Sequence, residues 1–272
     1  MPRRLRSLLT VLLIPLVVGC SSAFSLGYEA GPYLLSREIE KRIPLNSQEE
    51  DSLDAALDGY FDWHRSKMLG DYVVALSTWR RDIQDKRSTR LWLWPVIAEL
   101  VADTLLPLGE IVCAPMSRFT PADVESFKER DAEARKDAEK RWRSGSREER
   151  EKRSWDRFQS FIEDWIGDFT PEQAKRWNTT FRETVKESAK RQGQGRTRWN
   201  AFMTELEAGM SFESCFGHMS RWISPTLNNR VERNGHWVTL YDQVFRELTP
   251  EQITHLDGEL ETWIRRLRDL QE

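Results

Sequence analysis

The sequence predicts an all-α protein: an irregular array of about seven to nine amphipathic helices behind an N-terminal leader. Three observations predict it. Apolar residues recur three and four apart within otherwise charged stretches, which is the period of one helix face. One phrase recurs as "FTPAD", "FTPEQ" and "LTPEQ", and its chemistry is that of a helix start. The alternation of a half-buried strand is absent from the pattern. Twelve Trp and twelve Phe among 272 residues supply enough bulk for a packed core, despite 31% charged residues and a mean hydropathy of -0.64. A disordered chain lacks such aromatics.

The first element is the leader. Arg3, Arg4 and Arg6 form a cationic region, and Leu8 to Val18 form an apolar run of eleven residues interrupted by Thr10 and Pro15. A membrane-spanning helix needs about 20 residues, so this run reads as a signal peptide. Val17-Val18-Gly19-Cys20 resembles the lipobox of bacterial lipoproteins, with Val17 where Leu is preferred. The resemblance implies cleavage before Cys20, a diacylglyceryl group on its sulfur and acylation of the new amine. Several acyl chains anchor a protein permanently. Ser21 follows, and by analogy with the enteric sorting rule the absence of Asp there points to the outer membrane. The fold class is therefore all-α after an N-terminal lipoprotein signal peptide. Residues 1–19 form the signal peptide, 20–44 the lipidated Cys and a lead-in, and 45–272 the helical domain. Removing 1–19 takes away three arginines and no acids, moving the net charge from -3 to -6. That balance disfavours nucleic acid as a partner.

In the lead-in, Tyr33 to Ile43 predicts a short helix. From Asn46 the helical period takes over. Leu53, Leu57, Tyr60 and His64 form one stripe, and Tyr72, Leu76, Trp79 and Ile83 form the next. Residues 91–114 are strongly apolar. Glu99, Asp103 and Glu110, with Pro95 and Pro107, argue against a membrane span and for a buried or groove-lining helix, kinked or broken near the prolines. Residues 125–153 are nearly all charged, a solvated helical arm with a hinge candidate at Ser144-Gly145-Ser146. Further stripes are Trp155, Phe158, Ile162 and Trp165; Ala174, Trp177, Phe181 and Val185; Trp199, Phe202 and Leu206; and Val238, Tyr241 and Phe245. The last stripe runs from Ile253 through Leu256, Leu260, Trp263 and Leu267 to Leu270. Between them Met210 to His236, with two Gly, three Asn and a Pro, predicts the longest irregular segment.

The repeated phrase has a mechanism. Thr120, Thr170 and Thr249 are placed as N-caps, with Pro121, Pro171 and Pro250 at the first helical position. Asp123, Gln173 and Gln252 then stand at the third position and complete a capping box. Asn46 is a looser version. The uneven spacing of these starts excludes a solenoid.

Three cysteines leave two after lipidation. An oxidising compartment allows Cys113 and Cys215 to pair; the alternative is two separate buried thiols. Four histidines, His64, His218, His236 and His255, show no metal-ligand spacing, so no metal and no cofactor is expected. The chain has no nucleophile elbow, phosphate loop or dinucleotide fingerprint. His64 is the least poor catalytic candidate, and a satisfied core histidine is the preferred reading. The protein is not expected to be an enzyme.

"RIPLNSQEEDSLDAALDGYFDWHR", "YVVALSTW", "WIGDFTPEQ" and the closing "LTPEQ" together are similar to an uncharacterised family of α-helical bacterial lipoproteins, a domain of unknown function. The similarity covers roughly Tyr28 to Leu270, and its best markers are Trp63-His64-Arg65 and Trp165-Ile166-Gly167. Leu45-Asn46-Ser47-Gln48 departs from the Thr-type start of that family. The family offers no activity to transfer. A looser resemblance runs to periplasmic helical chaperones of the Spy and CpxP class, which carry a "LTxxQ" phrase before amphipathic helices. These resemblances imply a membrane-attached envelope protein that binds or chaperones envelope polypeptides. The alternatives are a scaffold lipoprotein docking one envelope complex, or an unrecognised enzyme.

Overall fold

A computed structural model describes residues 21–85, 90–190, 192–223 and 235–272, and among them it is all-helical with no strand. The leader and Cys20 lie outside the described residues. Two short helices, α1 (Ser21–Glu29) and α2 (Gly31–Glu40), precede a long α3. Helix α3 is α-helical over Ser47–Trp63, π-helical over His64–Met68 and α-helical again over Leu69–Gln84. Then follow α4 (Arg90–Met116), α5 (Pro121–Arg143), α6 (Arg147–Ile166) and α7 (Pro171–Lys190). The chain ends with α8 (Gln192–Glu207), α9 (Phe212–Ile223), α10 (Gly235–Arg246) and α11 (Pro250–Asp269).

Eleven helices among the described residues exceed the seven to nine that the sequence predicts. The surplus has two sources. The lead-in forms two helices where one was expected. The segment from Met210, expected to be irregular, holds α9, where Cys215, His218, Trp222 and Ile223 form a buried face. Its glycine at 217 is accommodated because that face is packed tightly against α4. Helix α4 is also unbroken, although it contains Pro95, Pro107 and Pro115. Each proline removes one backbone donor. Burial of Leu93, Ala102, Leu105, Leu108, Cys113 and Met116 holds the helix together, while Glu99, Asp103 and Glu110 face outward. No helix among the described residues is long and apolar enough to cross a membrane.

Two apolar cores run side by side. The larger gathers α1, α2, α3 as far as Val73, α4, α5, α8, α9 and the end of α11. The smaller gathers α6, α7, α10 and the start of α11 around Trp177, Leu240, Val244, Leu256 and Leu260, all fully buried. Helices α3, α4 and α11 pass through both and join them. Arg80 on α3 adds a bidentate bond to Asp257 on α11, at 2.8 and 2.9 Å. Gly31, the first residue of α2, leaves room for Phe61, because a Cβ there would sit 2.4 Å from the Phe61 ring. Arg130 on α5 closes the other end of α2 by donating to the carbonyls of Glu40 and Ile43, at 2.8 and 3.2 Å.

Candidate functional site

The helix starts are built as capping boxes. Asn46, Thr120, Ser146 and Thr249 each accept from the third residue of their helix, whose side chain answers the cap's own N–H. Thr170 does the same with Gln173: the Gln173 N–H donates to Thr170 Oγ1 at 3.2 Å, and Gln173 Oε1 accepts from the Thr170 N–H at 3.0 Å. Ser146 gives the Ser144–Ser146 stretch a definite geometry, with Gly145 at φ 84° just before the cap.

Two of the three repeated phrases are locked together. Gln173 Nε2 donates to Gln252 Oε1 at 2.8 Å, and Gln252 Nε2 donates back to Gln173 Oε1 at 2.9 Å. Each amide also donates across to the backbone two residues before the opposite threonine: Gln173 to Glu247 O and Gln252 to Asp168 O, both at 2.8 Å. The two bond sets are identical with an offset of 79 residues, so the α6–α7 and α10–α11 hairpins meet about a local pseudo-twofold axis. The packing obeys the same relation, with α6 against α11 and α7 against α10. Both glutamines are buried, at 2% and 5% exposure, and every polar atom of their amides has a partner. Trp177 Nε1 donates to Glu247 Oε2 at 2.8 Å and seals the edge. Asp123, in the third phrase, serves only its own cap, Thr120.

His64 sits where α3 turns π-helical. An α-helix turns 100° per residue, so eight residues would leave His64 and Tyr72 roughly 80° apart. The extra residue of a π segment removes about that much register and brings both side chains toward one face. His64 Nδ1 lies 2.9 Å from Tyr28 Oη and Nε2 lies 3.2 Å from Tyr72 Oη. Tyr72 Oη is hydrogen-bonded to Thr104 Oγ1, whose hydroxyl donates to Leu100 O at 2.7 Å. Thr104 spends its proton on Leu100, so Tyr72 donates to Thr104 and accepts from His64 Nε2–H. Tyr28 then donates to Nδ1. The relay is one-way, fixes the Nε2–H tautomer and uses both ring nitrogens. Tyr60 Oη donates to Thr104 O at 3.0 Å beside it.

Burial controls the protonation of this cluster. The His64 pKa is lowered from 6.5 to about 4 by desolvation, so the ring is neutral near pH 7. Burial likewise pushes the Tyr72 phenol up to about 12 and raises Tyr28 and Tyr60 further. Arg65, stacked 5.4 Å from the Tyr28 ring and paired with Glu29 at 2.6 Å, partly counters the rise at Tyr28. Four hydroxyls and one imidazole thus form a buried neutral cluster between α1, α3 and α4.

The other singled-out residues are dispersed. Cys113 on α4 and Cys215 on α9 are joined as a disulfide, with Cα atoms 5.7 Å apart and both residues fully buried. Buried His218 lies 3.2 Å from Glu205 of α8. His236 and His255 are exposed on α10 and α11. Among the described residues no group of three His, Cys, Asp or Glu is placed to hold a metal ion. An open cleft of 480 Å³ beside the start of α7 is lined by Glu172, Lys175, Arg176, Thr179, Thr180 and Gln243. Two of its side chains are tied down, Arg176 to Glu247 and Thr180 to Gln243.

Sequence reasoning did not reach the Tyr28–His64–Tyr72–Thr104 relay or the Gln173–Gln252 pair. For the pair a signal existed, in the match of "DFTPEQ" to "ELTPEQ". A family match spans residues 41–216, which takes in His64, Tyr72, Thr104, Gln173 and both disulfide cysteines, and leaves Tyr28 and Gln252 outside. No match to the chain was found among curated proteins or among solved structures. The chain is a member of the family of unknown function DUF6279.

Proposed function

We propose that the protein is a lipid-anchored protein of the cell envelope, tethered through Cys20 in the outer membrane and facing the periplasm, whose helical body binds envelope polypeptides and catalyses nothing. The observation that carries the compartment is the Cys113–Cys215 disulfide, since such bonds persist where thiols are not kept reduced. It agrees with the apolar run that ends at Cys20 and with Ser21 after it. Binding is supported by how the polar chemistry is used. The His64 relay and the Gln173–Gln252 pair spend their donors and acceptors inside the fold. Large apolar side chains such as Val74, Phe161 and Phe212 are left outside, on α3, α6 and α9.

Crosslinking in intact cells followed by capture of the protein tests this reading. A single dominant envelope protein in the adducts supports a scaffold that docks one complex. A diffuse set of envelope polypeptides, together with suppression of aggregation of an unrelated client at stoichiometric amounts, supports a chaperone. Adducts with no envelope polypeptide overturn the binding reading.

A further inference from the structure

Three of the six large apolar side chains that are exposed among the described residues fall within nine residues of the N-terminal helices: Leu26 at 71%, Tyr33 at 66% and Leu34 at 47%. Helices α1 and α2 are almost one helix, because the Ala30 N–H donates to Leu26 O at 3.0 Å and the Leu34 N–H to Ala30 O at 2.9 Å. At 100° per residue, Leu26, Ala30, Tyr33, Leu34, Arg37 and Lys41 project within roughly 100° of one another. The opposite side carries Phe24, Tyr28, Leu35 and Ile39, all buried in the larger core. Phe24 packs edge-on to Trp263 at 5.3 Å, and Tyr28 does so to Phe61 at 5.6 Å. The pair of helices is therefore pinned by one apolar face and shows a second one outward.

We propose that this outward face of α1 and α2 rests on the lipid surface, so that the body lies against the membrane instead of hanging from a free tether. The proposal deepens the lipid-anchored reading and rests on it. Continuity with the attachment point favours lipid over a protein partner. Helix α1 starts at Ser21, the residue that follows Cys20 in the sequence, and at 1.5 Å per residue Leu26 lies about 7.5 Å along the helix from Ser21. The charge pattern agrees. The centre of the face bears no acid, and its only ionic groups are Arg37 and Lys41 at the far end, which pair with Glu40 and Glu38 but stay 59% and 69% exposed and can exchange those weak surface pairs for headgroups. The acids of these helices turn to the flanks and are paired, Glu29 with Arg65, Glu38 with Arg42 and Lys41, and Glu40 with Arg37. A Tyr at the boundary suits an interface that is apolar on one side and wet on the other.

The test is photocrosslinking in cells of the full chain, with a benzophenone side chain placed at position 33 or, as a control on a remote helix, at position 161. Acylation of Cys20 is read by mass in the same samples. The expected result is acylated protein whose position-33 adduct gains the mass of a phospholipid, while position 161 gives none. The adduct should be lost from the Leu26→Ser, Leu34→Ser double variant, whose changes lie outside both cores and leave the melting temperature unchanged. Acylated protein that crosslinks at position 33 to a polypeptide, or to nothing, overturns this inference and leaves the anchor standing. A bare Cys20 overturns both.

Discussion

Replacing both paired glutamines by alanine, singly and together, measures whether the two hairpins are locked through them. Each amide makes four hydrogen bonds: one to its own cap, one to the opposite backbone and two to its partner. A neutral hydrogen bond contributes about 1 kcal/mol net, and a buried group left without its partner costs more. Gln173→Ala or Gln252→Ala therefore costs about 3–4 kcal/mol each. The two bonds shared between the amides are lost only once when both residues are changed. The double variant should thus fall short of the sum of the singles by about 2 kcal/mol. The assay is urea unfolding of the four proteins followed by far-UV circular dichroism, with slopes compared to confirm that one transition is being measured. Singles that add to within about 0.5 kcal/mol of the double would refute the coupling, and with it the pseudo-twofold lock.

Other outcomes follow from the same geometry. The His64 pKa is about 4 folded and 6.5 unfolded, so the unfolded chain binds the extra proton between those values; the resulting stability is complete above pH 6.5 and is lost as pH falls toward 4. The gap between wild type and His64→Gln, from denaturant titrations, should close by about 3 kcal/mol between pH 7 and pH 4; a constant gap contradicts the buried neutral ring. Replacing Cys113 and Cys215 by serine opens a loop with a sequence separation of 102 and should cost about 4–5 kcal/mol in guanidinium unfolding. A loss below about 1 kcal/mol would argue that the α4–α9 contact holds without it. Thr120→Ala removes a cap with no cross-helix role and should cost about 1 kcal/mol, a few degrees in melting temperature.

The sequence revealed what is local. The cap at Thr249 is legible because a hydroxyl, a proline and a glutamine stand at fixed offsets within four residues. The stripe from Leu256 to Leu267 is legible because burial on one face of α11 imposes a period. What depends on two distant segments meeting was not legible. Gln252 has the same spelling whether it serves Thr249 alone or also reaches Gln173, and only the docking of α10–α11 on α6–α7 decides it. His64 and Tyr72 look out of phase on a regular helix; the π segment that aligns them carries no residue signature in "HRSKM". Helix α9 was hidden because Gly217 and the asparagines beyond it outweighed a face of three apolar residues and one histidine, whose burial comes from α4. Cys113 and Cys215 stood as two open alternatives because distance across 102 residues is not written in spacing.

The proposed tether is tested most directly by the intact mass of the protein taken from membranes. The expected mass is that of a chain that begins at Cys20 and carries a diacylglyceryl group and one further acyl chain. A mass equal to the unmodified chain, or one that still includes residues 1–19, would contradict it.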